Sequence, residues 1–189
     1  MNGFLIALGA VALLGGLWAL ATYNGLVKLR QHCREAWSNV DAELKRRHNL
    51  IPNLVEAVKG YAAHERGVLD RVARARAEAL KPAEPDEQAR HEADLAGSVR
   101  SLLAVAEGYP ELQASDQFLA LQRELANTED RIQAARRFYN GNVRDLNTRV
   151  ESFPAMFIAN WGRFERAAYF ELERVEVGAP ATVGFEPPI

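Results

Sequence analysis

The chain has 189 residues, 48% of them hydrophobic and 25% charged, with 13 Gly and 8 Pro, the make-up of a folded chain rather than a disordered one. A formal net charge of −2 lacks the concentrated basic surface that generic nucleic-acid binding needs, so no nucleic-acid partner is expected. A single cysteine, Cys33, excludes an internal disulfide and a cysteine-rich metal site.

From Phe4 to Thr22 the chain is almost wholly apolar, and the first charged side chain is Lys28. As a helix this stretch crosses about 30 Å of hydrocarbon, and a helix is required because lipid offers no partners to backbone amides. Residues 1–24 therefore read as a single transmembrane anchor, with Trp18 and Tyr23 at interfacial positions. Gly9, Ala12 and Gly16 form a weak small-residue stripe. A cleaved signal peptide is the rival, since Ala19-Leu20-Ala21 matches a small-x-small cleavage pattern. Against it, Met1-Asn2-Gly3 carries no Lys or Arg, and the helical pattern continues past the cut. Lys28, Arg30 and Arg34 follow the span, so the positive-inside rule places the remainder in the cytoplasm. A lone unpaired cysteine fits that reducing compartment.

Beyond the anchor, apolar residues recur at steps of three and four. Leu26, Leu29, Cys33, Trp37, Val40 and Leu44 predict a helix over about 24–48, and Ile51, Val58, Tyr61, Leu69 and Val72 a second over about 50–80. Pro52 falls between the stripes. Proline costs roughly 3 kcal/mol inside a helix but little in a first turn, and Asn49 is an available N-cap, so a reversal at 48–52 is favoured. The alternative, a kink only, makes 24–80 one helix of about 80 Å in a three-helix bundle, too long for its neighbours to cover. Lys81-Pro82-Ala83-Glu84-Pro85 breaks the chain before a third helix over about 86–108, ended by Gly108-Tyr109-Pro110. Ser115 then caps a fourth over about 115–151, with Phe118, Leu121, Leu125, Ile132, Tyr139, Val143, Leu146 and Val150 on one face. The expected fold class is all-α: the anchor followed, over 25–152, by an antiparallel four-helix up-and-down bundle.

Alternating helices bring the chain back to the membrane after Glu151. Residues 153–170 are aromatic-rich, and Phe153, Met156, Phe157, Ile158, Trp161 and Phe164 are candidates for contact with the membrane surface or with the open end of the bundle. The tail, 171–189, reads as loosely ordered, with short extended pieces around Val175–Val177.

The strings themselves carry a resemblance. Tyr23-Asn24-Gly25-Leu26-Val27-Lys28-Leu29-Arg30, Ala36-Trp37-Ser38-Asn39-Val40-Asp41 and Leu44-Lys45-Arg46-Arg47-His48-Asn49-Leu50-Ile51-Pro52-Asn53-Leu54-Val55 are followed by Val58-Lys59-Gly60-Tyr61 with His64-Glu65. Tyr109-Pro110-Glu111-Leu112, Thr128-Glu129-Asp130-Arg131-Ile132, Ala135-Arg136-Arg137-Phe138-Tyr139-Asn140 and Phe153-Pro154 complete the set. From residue 1 to about 170 the chain resembles the LemA family of bacterial membrane-anchored helical proteins. The resemblance implies one span near the N-terminus, an antiparallel helical bundle and no enzymatic activity. It also implies links to envelope processes and membrane-protein quality control, with a branch in magnetosome formation. It carries no catalytic residues.

No catalytic constellation or cofactor is expected from the residues either. A di-iron bundle needs Glu-x-x-His on two helices, but Leu29, Lys45, Tyr61 and Gln88 stand three before His32, His48, His64 and His91. His64-Glu65 and His91-Glu92 begin a zinc pattern that Val68 and Leu95 fail to complete. Cys33 lies on an apolar stripe, where an inert thiol is usual. What stands out is polar. Arg46, Asn49, Asn53 and Glu56, and on the fourth helix Arg137, Asn140, Arg144, Asn147 and Glu151, keep three–four spacing beside an apolar seam. Two roles compete: hydrogen bonds that fix helix register within one subunit, or a surface for self-association or a membrane-protein partner. The sequence therefore suggests a scaffold or interaction protein, with membrane remodelling or lipid sensing as its rival.

Overall fold

The computed structural model describes residues 2–171, and the tail beyond, including Val175–Val177, lies outside them. Every regular element among the described residues is helical: α1 (Asn2–Lys59), α2 (Arg66–Ala79), α3 (Pro85–Ala106), α4 (Pro110–Gln113), α5 (Asp116–Glu151) and α6 (Ala155–Trp161). The apolar start of α1 has a mean hydropathy of 2.3 and packs against nothing, so it is long and apolar enough to cross a membrane. From Thr22 onward the same helix buries one side at three–four steps: Leu26, Cys33, Ala36, Val40, Leu44, Ile51, Leu54 and Val58.

The chain does not reverse at 48–52. Helix α1 continues through Pro52, and Asn49 is an exposed mid-helix residue, not a cap. The physical reason lies across the fold. Proline at 52 cannot donate to the carbonyl of His48, the partner four residues back. The Arg76 guanidinium of α2 donates to that carbonyl instead, Nε to O at 2.9 Å, so the orphaned acceptor is satisfied from outside the helix. The reversal comes at Gly60, where α1 ends as Tyr61 and Ala62 both bond back to the Val58 carbonyl. The expectation of four helices of comparable length is corrected accordingly, because α1 has 58 residues and α2 only 14.

Long α1 and α5 lie against each other, while α2 and α3 form a hairpin over the distal half. Two apolar cores result. The membrane-proximal core joins Leu26–Leu44 of α1 to Ile132–Val150 of α5, sealed by Ala159, Phe164 and Phe170. The distal core joins Ile51–Val58 to α2, α3, Leu112 and Phe118. Ser115 is the N-cap residue of α5, although its hydroxyl makes no capping bond.

After α6 the chain is extended over residues 164–171, a strap running back along α5. The turn into it is a Schellman motif: Phe164 N–H donates to Ala159 O at 2.9 Å and Arg163 N–H to Asn160 O at 3.3 Å. Arg163 holds the left-handed position, φ 52°, that glycine usually fills. Gly162 is required beside it, since a Cβ there would lie 2.6 Å from the Phe164 ring.

Candidate functional site

Between the two apolar cores lies a buried polar layer. Arg47 and His48, adjacent on α1, both face inward and meet Glu92 of α3, which is 2% exposed. One arm of the Arg47 guanidinium pairs with Glu92, and the other donates to Glu129 Oε2 of α5 at 2.8 Å. His48 Nε2 lies 2.8 Å from Glu92 Oε1, and Gln88 Nε2 donates to the same oxygen at 2.9 Å. That Gln88 amide also donates to the Ala79 carbonyl at the end of α2, 2.9 Å away. Gln133 in turn holds Glu129 at 2.8 Å. Four helices thus meet on one ion-pair cluster.

Burial opposes ionisation of Glu92 and is the largest single influence on it. The His48 hydrogen bond and the charge of Arg47 together outweigh burial and hold the carboxyl below its ordinary value. Both Glu92 oxygens are engaged, Oε1 by His48 and Gln88 and Oε2 by Arg47. A pocket of about 350 Å³ opens beside the cluster, lined by Trp37, Asp41, Lys45, His48 and Gln88. Neither Arg47, His48, Gln88, Glu92 nor Glu129 was singled out from the sequence as a site residue. The available signal was Glu92 itself: on α3 it shares a face with Leu95 and Leu102, and a buried carboxylate requires a buried cation.

The residues that were singled out divide by element. Arg46, Asn49, Asn53 and Glu56 are all exposed, and the unbroken α1 keeps them on one outward face. On α5, Arg137, Arg144 and Glu151 are exposed, whereas Asn147 is buried and Asn140 half-buried. Both asparagines clamp the strap. Asn147 donates to Ala167 O at 3.0 Å and accepts from Ala167 N–H at 2.9 Å; Asn140 does the same to Phe170 at 3.1 and 2.9 Å. Seven helical residues and three extended ones each span about 10 Å, so two amides two turns apart match the strap in register. Between them the Tyr139 hydroxyl donates to Ala168 O at 2.8 Å, and burial raises its pKa. Glu151 pairs with Arg166 of the strap at 3.1 Å.

At the other end, Phe153, Phe157 and Trp161 follow steps of four and are largely exposed, at 79%, 60% and 79%. Met156 and Ile158 are half-buried, and Phe164 is buried in the proximal core. Tyr23 packs edge-on against both Trp161 and Phe164, with centroids 6.2 and 5.4 Å apart. The aromatic end of the molecule therefore sits where the apolar span stops.

The family model described as "LemA family" matches residues 36–185, most of the chain. The chain belongs to the LemA family. Among curated relatives, Magnetosome protein MamQ 2 of Paramagnetospirillum magneticum is 26% identical, over 80% of this chain and 65% of its own length. Magnetosome protein MamQ of Magnetospirillum gryphiswaldense is 24% identical over the same shares. Protein LemA of Metamycoplasma hominis is 26% identical over 82% of this chain and 72% of its own. The chain thus spans about two thirds of the length of the MamQ relatives it matches.

In this LemA-family chain, no three His, Cys, Asp or Glu side chains converge as a metal site among the described residues. The Cys33 thiol is buried, and burial, with the nearby Asp145 charge, pushes its pKa up. It therefore holds its proton more firmly than an ordinary thiol, the reverse of an activated nucleophile.

Proposed function

We propose that this LemA-family chain works without catalysing a reaction, as a single-pass scaffold standing on the cytoplasmic face of a bacterial inner membrane. The observation that carries the reading is the unbroken α1. A helix continuous from lipid to bundle transmits the orientation of the anchor, so the outward face of Arg46, Asn49, Asn53 and Glu56 is held at a fixed heading. By helical rise it stands about 35 to 50 Å beyond Thr22. Such a face suits self-association or a membrane-protein partner that spans the same bilayer. The cytoplasmic side follows from Lys28, Arg30 and Arg34 after the span, together with an unpaired cysteine.

Crosslinking in native membranes from a photoreactive residue at Asn53 tests the reading. A defined crosslinked species, lost when the probe is moved to exposed Ser38 lower on α1, is the expected result. A protein that stays uncrosslinked and monomeric after detergent extraction contradicts it.

A second reading, lipid sensing or membrane remodelling, is favoured by the exposed row of Phe153, Phe157 and Trp161 beside Tyr23. A magnetosome-type role, which the names of the MamQ relatives bring within reach, belongs to this reading. Brominated-lipid quenching of full-length protein tests it: Trp161→Phe should remove a quenched component of the tryptophan emission. An unquenched Trp161 rules out the contact.

A further inference from the structure

We propose that the cleft between α1 and the strap binds the headgroup of an anionic phospholipid, with the lipid phosphate held among Arg30, Arg34 and Arg163. The proposal rests on the membrane placement above but not on the scaffold role.

The cleft has a volume of about 480 Å³, the size of a headgroup rather than of a lone ion. Arg30 and Arg34 of α1 line one side of it, and Arg163 and Arg166 of the segment after α6 line the other. The carboxylates of Glu84 and Glu165 also line it, so cations outnumber anions by four to two. Arg166 is taken by Glu151 at 3.1 Å; among the described residues no ion pair engages Arg30, Arg34 or Arg163. Two of these three bear marks of a preset position. The Arg30 guanidinium lies 4.8 Å over the Phe164 ring, and its Nε is buried with no partner. Stacking of this kind fixes the plane of the fork while leaving its in-plane N–H groups to meet phosphate oxygens. Arg163 occupies left-handed backbone at φ 52°, where glycine would be cheaper.

Height favours a lipid over a free phosphate. Phe164, which floors Arg30, packs on Tyr23, the residue after the apolar span. Arg30 lies about 12 Å along the axis beyond Thr22, and the headgroup layer is about 5 to 8 Å deep. A long side chain reaching down closes that gap for Arg30, whereas Arg34, about 18 Å beyond Thr22, meets a headgroup that stands up into the cleft. Exposed Trp161, packed on Tyr23 where the apolar span ends, gives the glycerol and upper acyl carbons an apolar neighbour.

Full-length protein in nanodiscs of phosphatidylcholine, alone or mixed with phosphatidylglycerol, tests the site by native mass spectrometry of retained lipid and by thermal melting. Preferential retention of phosphatidylglycerol is expected, with a higher melting temperature in the mixed discs. Arg34→Gln and Arg163→Gln, both exposed positions, should each lower the preference by about fivefold, the worth of one arginine near an anionic surface. Arg149→Gln, on α5 outside the cleft, should leave the preference unchanged. Equal retention of the two lipids by the wild type, which needs no variant to fold, overturns the site, as does an equal loss from Arg149→Gln. Inorganic phosphate added to lipid-free detergent solution is the remaining arm: stabilisation matching that by phosphatidylglycerol overturns the lipid assignment. Insertion into phosphatidylcholine discs reads out the anchor separately, so failure of the headgroup site leaves the membrane placement standing.

Discussion

At the residue scale, Pro52 and Arg76 form a unit that neither residue defines alone. Removing the Arg76 donor leaves the His48 carbonyl unmet beside a proline that cannot serve it, at a cost of about 1 to 3 kcal/mol. Arg76→Met should therefore destabilise the protein, and adding Pro52→Ala should restore most of the loss by returning a backbone donor. A double-mutant cycle by chemical denaturation reads the coupling, and additive effects would contradict it. The Arg47–Glu92 pair gives a second prediction. Glu92→Gln leaves Arg47 short of a buried partner and should cost about 3 to 5 kcal/mol, whereas Arg47→Met with Glu92→Leu should recover stability if the cluster only positions helices. The pH dependence has a definite sign. Because the folded carboxyl titrates below its ordinary value of 4.5, its contribution is complete above that pH and is lost as pH falls through the folded value. Acidification below about pH 4.5 should lower the melting temperature more steeply in the wild type than in Glu92→Gln.

At the scale of elements, apolar periodicity revealed where helices lie but not where α1 stops. The stripes through Leu44 and from Ile51 were both visible, yet the penalty at Pro52 is offset by a side chain of another helix, which no local pattern reports. The strap was invisible for a related reason. Ala167, Ala168 and Phe170 bond through their backbone to the side chains of Asn147, Tyr139 and Asn140, a pairing with no neighbouring strand or helical turn to impose a period of two or of 3.6. Its partners were visible as residue types, since asparagine beside an apolar seam signalled specified contacts. On α5, Asn140 and Asn147 bond the strap of the same chain and not a neighbouring helix, while the row on α1 faces solvent. Asn147→Ala should free the strap from α5. Hydrogen exchange at the Ala167 amide should accelerate by about 10- to 100-fold, the equivalent of about 1 to 3 kcal/mol. Unchanged protection would mean that packing of Phe164 and Phe170 suffices to hold it.

At the scale of the molecule, a single helix, α1, joins the apolar span to the distal core. Two cores with an ion-pair layer between them are strung along that helix, and the strap, clamped to α5, packs Phe164 and Phe170 against Tyr23 and Trp37 of α1. The membrane-proximal aromatics and the outward polar face then stand at heights set by α1 alone. A reversal at 48–52 would fold this geometry in half. The direct measurement is a pulsed electron–electron distance between spin labels at exposed Ser38 and Lys59 of full-length Cys33→Ser protein in nanodiscs. A continuous α1 predicts a narrow distribution centred near 31 Å, the rise of twenty-one helical residues. A distribution centred below about 20 Å would place the two labels side by side on reversed helices and contradict the account.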